Sequence, residues 1–125
     1  MPFKPTLALD FDGVVHSYER GWQQGQIYGT LTPGFLEWAA VAQQHFKLVI
    51  HSSRAPDWVG ADQIGQWLNR QLEHWRGPEI EIEVAIHKPP AFMTIDDRSI
   101  RFEGNWRAPE LQPEAILAFK PWMQR

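Results

Sequence analysis

Two short, almost continuously apolar runs, residues 6–11 (TLALDF) and 47–51 (KLVIH), constrain this chain more than any other feature, because each ends abruptly in polar residues. Central parallel strands covered on both faces have this appearance. Parallel neighbours need a crossover, and the intervening sequence predicts one. Thr32 can cap a helix whose first residue is Pro33, with Phe35, Ala39, Ala42 and Phe46 on one stripe. A second helix is predicted from Asp57 to about Trp75. Its buried face would carry Ile64, Trp67, Leu68, Leu72 and Trp75, and Gly77-Pro78 would end it.

From Glu79 to Ile86 the pattern changes to strict alternation. Ile80, Ile82, Val84 and Ile86 alternate with Glu79, Glu81, Glu83 and Ala85, which predicts a half-exposed edge strand whose glutamates discourage pairing with another chain. Residues 92–95 predict another inner strand, residues 100–102 a short fifth one, and residues 113–119 a last helix. The β-α-β-α-β succession predicts an α/β protein. Its expected form is a three-layer, Rossmann-like, open and mostly parallel sheet with helices on both faces, and a ligand site at the carboxyl ends of the strands. Residues 14–31 hold Gly21, Gly25 and Gly29 among Tyr18, Trp22, Ile27 and Tyr28, and are expected to form a glycine-hinged hairpin, a flap over that site. No helical period explains Tyr18, Trp22 and Tyr28. They are placed either to stack on a substrate ring or to pack the hairpin.

Composition narrows the function classes. At 125 residues the chain is one domain's worth, spanning residues 1–125, and 43% hydrophobic residues supply a core. A net charge of −3 lacks the basic excess of non-specific nucleic-acid binding, so nucleic acid is expected only as a substrate. With no cysteine, a metal would sit on oxygen or imidazole. No apolar run is long enough for a membrane helix, and the start, MPFKPTLALDF, is too polar for a signal peptide, so a cytoplasmic protein without a membrane partner is expected.

The chemistry collects at strand ends. Asp10 and Asp12 end the first run, Ser52 and Ser53 the second, and Asp96 and Asp97 follow residues 92–95. Two residues apart on a strand, Asp10 and Asp12 would leave on one face while Phe11 turns inward and Gly13 bends the chain away. Four converging carboxylates repel unless a hard cation lies among them, and magnesium suits that role. Lys88 and one serine would then hold phosphoryl oxygens.

The set D-F-D-G-V from Asp10 to Val14, the strand ending in Ser52-Ser53-Arg54, Lys88 before Pro89, and I-D-D from Ile95 to Asp97 resembles, in order and strand context, the four motifs of the haloacid dehalogenase-like (HAD) phosphohydrolases. The resemblance implies that Asp10 is the nucleophile forming an aspartyl-phosphate and that Asp12 protonates the leaving group and activates water. It also implies that Ser52, in preference to Ser53, and Lys88 hold the phosphoryl group. Magnesium would be bound by Asp10, Asp12, Asp96 and Asp97, with Asp96 the preferred direct ligand of the second pair. Arg54 is a candidate substrate contact. Neither insertion point for a cap has room for one, so the resemblance is to a small capless member. Its expected partner is a phosphorylated substrate such as an oligonucleotide end or a protein side chain. Histidines 16, 51 and 87 flank the motifs and are expected as hydrogen-bonding neighbours. The alternatives are a receiver-type signalling domain, which would carry its lysine last, and a phosphate-binding domain without turnover.

Overall fold

A computed structural model describes residues 3–125. Four strands form one fully parallel sheet: β1 (Thr6–Leu9), β2 (Lys47–His51), β3 (Ile82–Ala85) and β4 (Met93–Ile95), in the spatial order β3-β2-β1-β4. The register aligns Leu7 with Leu48 and Met93, and Leu9 with Ile50 and Ile95. Helix α1 (Phe35–Ala42) connects β1 to β2, and α2 (Trp58–Leu72) connects β2 to β3. Both crossovers step the same way along the sheet, so right-handed connections put both helices on one face.

The core lies on that face. Leu7, Leu9, Leu48 and Ile50 from the strands pack with Phe35, Ala39 and Ala42 of α1 and with Ala61, Ile64, Trp67 and Leu68 of α2. Ile80, Ile82, Val84 and Ile86 close its margin, so the alternation over residues 79–86 does mark an edge strand. Asp57 caps α2, its carboxylate accepting from the Val59 and Gly60 N–H groups at 3.1 Å.

Several expectations are corrected. Thr32 does not cap α1, because its hydroxyl donates to the Val14 carbonyl at 2.6 Å; the helix starts after Gly34, which is left-handed at φ 82° and offers no side-chain cap. Helix α2 stops at Leu72, and Trp75 lies outside the core with its indole N–H donating to the Pro78 carbonyl. Strand β4 is an edge, not an inner strand, and all three of its residues are exposed. No fifth strand forms at residues 100–102, where Phe102 packs on Trp106 at 4.7 Å in a local turn. The last helix, α3 (Pro113–Leu117), buries no residue. Residues 14–31 form a looped flap in place of a regular two-stranded hairpin, closed at its base by one antiparallel bridge between His16 and Leu31, with the Ser17 N–H donating to the Thr30 carbonyl at 2.9 Å and the Thr32 N–H to the Val15 carbonyl at 3.0 Å. Four left-handed residues, Tyr18, Gly21, Gln24 and Gly25, keep it from running straight. No helix among the described residues is long and apolar enough to cross a membrane.

Candidate active site

Strand β1 ends at Leu9, and the chain then curls tightly. The Phe11 carbonyl accepts from the N–H groups of Val14, Val15 and His16, at 3.2, 2.9 and 2.9 Å. Phe11 is pulled fully into the core. Pairing to β4 persists one step beyond the strand, through Asp10 N–H to the Ile95 carbonyl at 2.9 Å. Asp10 is thereby set beside the residues that follow β4. One carboxylate oxygen from each of Asp10, Asp96 and Asp97 lies within 4.8 Å of the others.

Burial pushes the Asp10 carboxyl up to about 7, with the charge of Asp96 and a hydrogen bond and charge from Asp97 adding to it. Hard oxygen donors that crowd until one takes a proton make a fitting seat for magnesium or another hard divalent cation. Next to them opens a cavity of about 490 Å³ whose walls include Asp10, His51, Ser53, Lys88, Asp96 and Arg98. A wider hollow of about 790 Å³ lies at the amino ends of the strands, around Lys4, Lys47 and Glu83, and gathers no comparable chemistry.

Asp12 does not join the acidic cluster. The expectation of four converging carboxylates assumed that the strand continued to Asp12, and the curl at Phe11 turns that side chain elsewhere. Arg54 donates to it from Nε at 2.9 Å and Nη2 at 3.0 Å, and His16 Nδ1 lies 2.9 Å from Oδ1. His16 Nε2 accepts the Gly29 N–H at 2.9 Å, so Nδ1 carries the proton and donates to Asp12. Burial works against the charge on Asp12, but the hydrogen bonds from His16 and Arg54, and the Arg54 charge, outweigh it and hold the carboxyl below its ordinary value.

No protein-family model, curated protein or solved structure matches this chain.

The structure therefore separates the residues singled out in the sequence into two groups. Asp10, Asp96, Asp97, Ser53 and Lys88 belong to the cavity and its acidic margin. Asp12, Arg54 and His16 form an adjoining network under the flap. Of the two serines, Ser53 lines the cavity; the preferred Ser52 is 5% exposed and its Oγ accepts the Arg54 N–H at 3.2 Å. Arg54 is not a free surface arginine. Its side chain is 3% exposed, and its third nitrogen, Nη1, donates to the flap carbonyl of Gly25 at 2.8 Å. Trp122 escaped the sequence reading altogether, and its indole N–H reaches back to the Gly13 carbonyl at 2.7 Å. No local pattern signals a contact between residues so far apart in the chain.

Proposed function

We propose that this chain is a magnesium-dependent phosphatase of the haloacid dehalogenase-like type, hydrolysing a phosphomonoester through an aspartyl-phosphate on Asp10. The observation that carries the reading is the meeting of Asp10, Asp96 and Asp97 at one margin of a cavity that Ser53 and Lys88 also line. Strand order supports it. The chain steps from β1 to β2 to β3 on one side and returns to β4 on the other, so the crevice between β1 and β4 is a switch point, where open α/β sheets bind ligands. The finer assignment, a three-layer Rossmann-like sheet without a cap, is part of this proposal.

A magnesium ion held by Asp10, Asp96 and Asp97 would supply positive charge opposite the phosphoryl oxygens. An Asp10 oxygen attacks phosphorus as the ester P–O bond breaks, and its electron pair leaves with the alcohol oxygen, which takes a proton from the acid form of Asp12. Water then attacks phosphorus, its proton passes to the Asp12 carboxylate, and the bond to Asp10 breaks to release inorganic phosphate. Ser53 and the Lys88 ammonium hold the phosphoryl oxygens throughout. Because Arg54 and His16 favour ionised Asp12, the second step finds its base ready and the first has to wait for a proton.

One observation favours a second reading, a phosphate-binding or receiver-like domain without turnover: Asp12 is tied to Arg54 rather than free over the cavity. Release of phosphate from p-nitrophenyl phosphate separates the two. Turnover that needs magnesium and disappears in Asp10→Asn supports the phosphatase, and no turnover with magnesium present leaves the binding domain.

A further inference from the structure

The flap carries three aromatic side chains with different surroundings. Tyr28 is committed to the flap itself: its hydroxyl accepts the Arg20 N–H and donates to the Gly21 carbonyl, both at 2.8 Å, and the Arg20 guanidinium covers its ring at 4.3 Å. Tyr18 is half-buried and meets the His16 ring edge-on at 6.0 Å. Trp22 alone leaves its ring in water, 62% exposed. It is nevertheless held from behind, because the Arg54 Cζ lies 5.0 Å from its ring centre. A guanidinium seated on one face of an indole orients the ring and leaves the other face open. The same guanidinium grips Asp12 and the Gly25 carbonyl, so Trp22, the flap and Asp12 share one fixed support.

We propose that Trp22 is a stacking platform for the base of a nucleoside phosphomonoester, on the leaving-group side of the site. The proposal rests on the phosphatase reading, in which the alcohol departs beside Asp12. Reach argues for a nucleobase over a phenol. A ring bonded directly to the ester oxygen would stand against Asp12 itself. The Trp22 ring is one guanidinium farther out, and a sugar between phosphate and ring is the spacer that brings a ring onto it. Stacking accepts any base, since every base has a π face, so the platform selects for a base and not for its identity. A free nucleotide and the phosphorylated end of an oligonucleotide present the same chemistry.

The test compares kcat/KM of the whole protein with magnesium on adenosine monophosphate, ribose phosphate and a short oligonucleotide with a terminal phosphate. The nucleotide is expected to exceed ribose phosphate by roughly tenfold or more, mostly through KM. Trp22→Ala should bring that ratio close to one, and Trp22→Phe should keep most of it, with circular dichroism unchanged in both. Preference for the oligonucleotide or for the mononucleotide assigns the natural source, and either supports the platform. Equal kcat/KM for nucleotide and ribose phosphate, a ratio that survives Trp22→Ala, or preference for a phosphotyrosine peptide overturns it. Acetyl phosphate, which has no ring, keeps the two readings apart, since its inertness would count against the phosphatase alone. Calorimetry on Asp10→Asn then decides the platform: tighter binding of adenosine monophosphate than of ribose phosphate, lost on adding Trp22→Ala, supports it, and equal binding overturns it.

Discussion

The Asp97 carboxylate occupies the space into which a Cβ on Gly13 would project, and Gly13 itself is held in the left-handed region at φ 84°. The glycine of the first motif therefore makes room for the acid of the last. Gly13→Ala meets both objections, about 1–2 kcal/mol for the backbone alone and a displaced Asp97 besides. The melting temperature should fall by about 5 °C or more, and magnesium titration should show weaker binding. A variant that melts and binds magnesium like wild type would contradict the close approach.

Asp10 dictates how the metal-free protein responds to pH. Its carboxyl is raised from 3.8 to about 7, burial being the largest cause, so between those values the folded state holds a proton that the unfolded chain releases. Stability from this group is full below the lower value and is lost as pH rises through the upper one. Asp12 has the opposite sign, but its lowered carboxyl acts only at and below the ordinary acid range. With chelator, the melting temperature should therefore be higher at pH 5 than at pH 7.5. Magnesium at one hundred times its dissociation constant should restore about 2.7 kcal/mol at the higher pH, or roughly ten degrees. A chelated protein equally stable at both values would show that the carboxylates do not crowd.

Asp10→Asn and Asp12→Asn should fail differently. An amide cannot attack phosphorus, so the first variant should release no phosphate, yet it should melt higher than wild type in chelator because the crowding is relieved. The second should keep a residual rate, lower by two to four powers of ten, the range for losing a general acid-base group. Phosphate release and thermal denaturation on the same preparations check both, and wild-type turnover in Asp10→Asn would end the mechanism.

Arg54→Met leaves Asp12, a half-buried carboxylate, with His16 as its remaining partner. Breaking a fully buried pair from one side costs about 3–5 kcal/mol, and this pair, whose Asp12 side chain is 19% exposed, should cost less, so a clear drop in melting temperature is expected. Under the phosphatase reading, the folded variant should also change its pH profile. With the guanidinium gone, Asp12 holds its proton to higher pH, and cleavage of alkyl phosphates, which need the acid, should extend further toward neutral pH than in wild type. An unmoved profile would mean that Arg54 does not control the protonation of Asp12.

Much of this arrangement was legible along the chain. The apolar runs at residues 6–11 and 47–51 are paired inner strands, the alternation at residues 79–86 is an edge strand, and Asp57 starts α2, because each depends on neighbours a few residues away. The acid at the end of β1 and the acids after β4 also meet as expected, since parallel strands in register bring their carboxyl ends to one rim. Tertiary structure decided the rest. Asp12 parts from Asp10 because three N–H groups converge on the Phe11 carbonyl and end the strand early, and a buried arginine from another strand end then claims its carboxylate. Ser53 rather than Ser52 faces the cavity because the turn after β2 spends the Ser52 hydroxyl on Arg54 N–H. Residues 92–95 look interior in sequence and lie at an edge, because whether a further strand pairs beside them depends on where residues 100–102 go, and Phe102 goes to Trp106. Hydrophobic period and motif order are properties of neighbouring residues. The direction of a carboxylate at a strand end depends on partners distant in the chain, which no local pattern records.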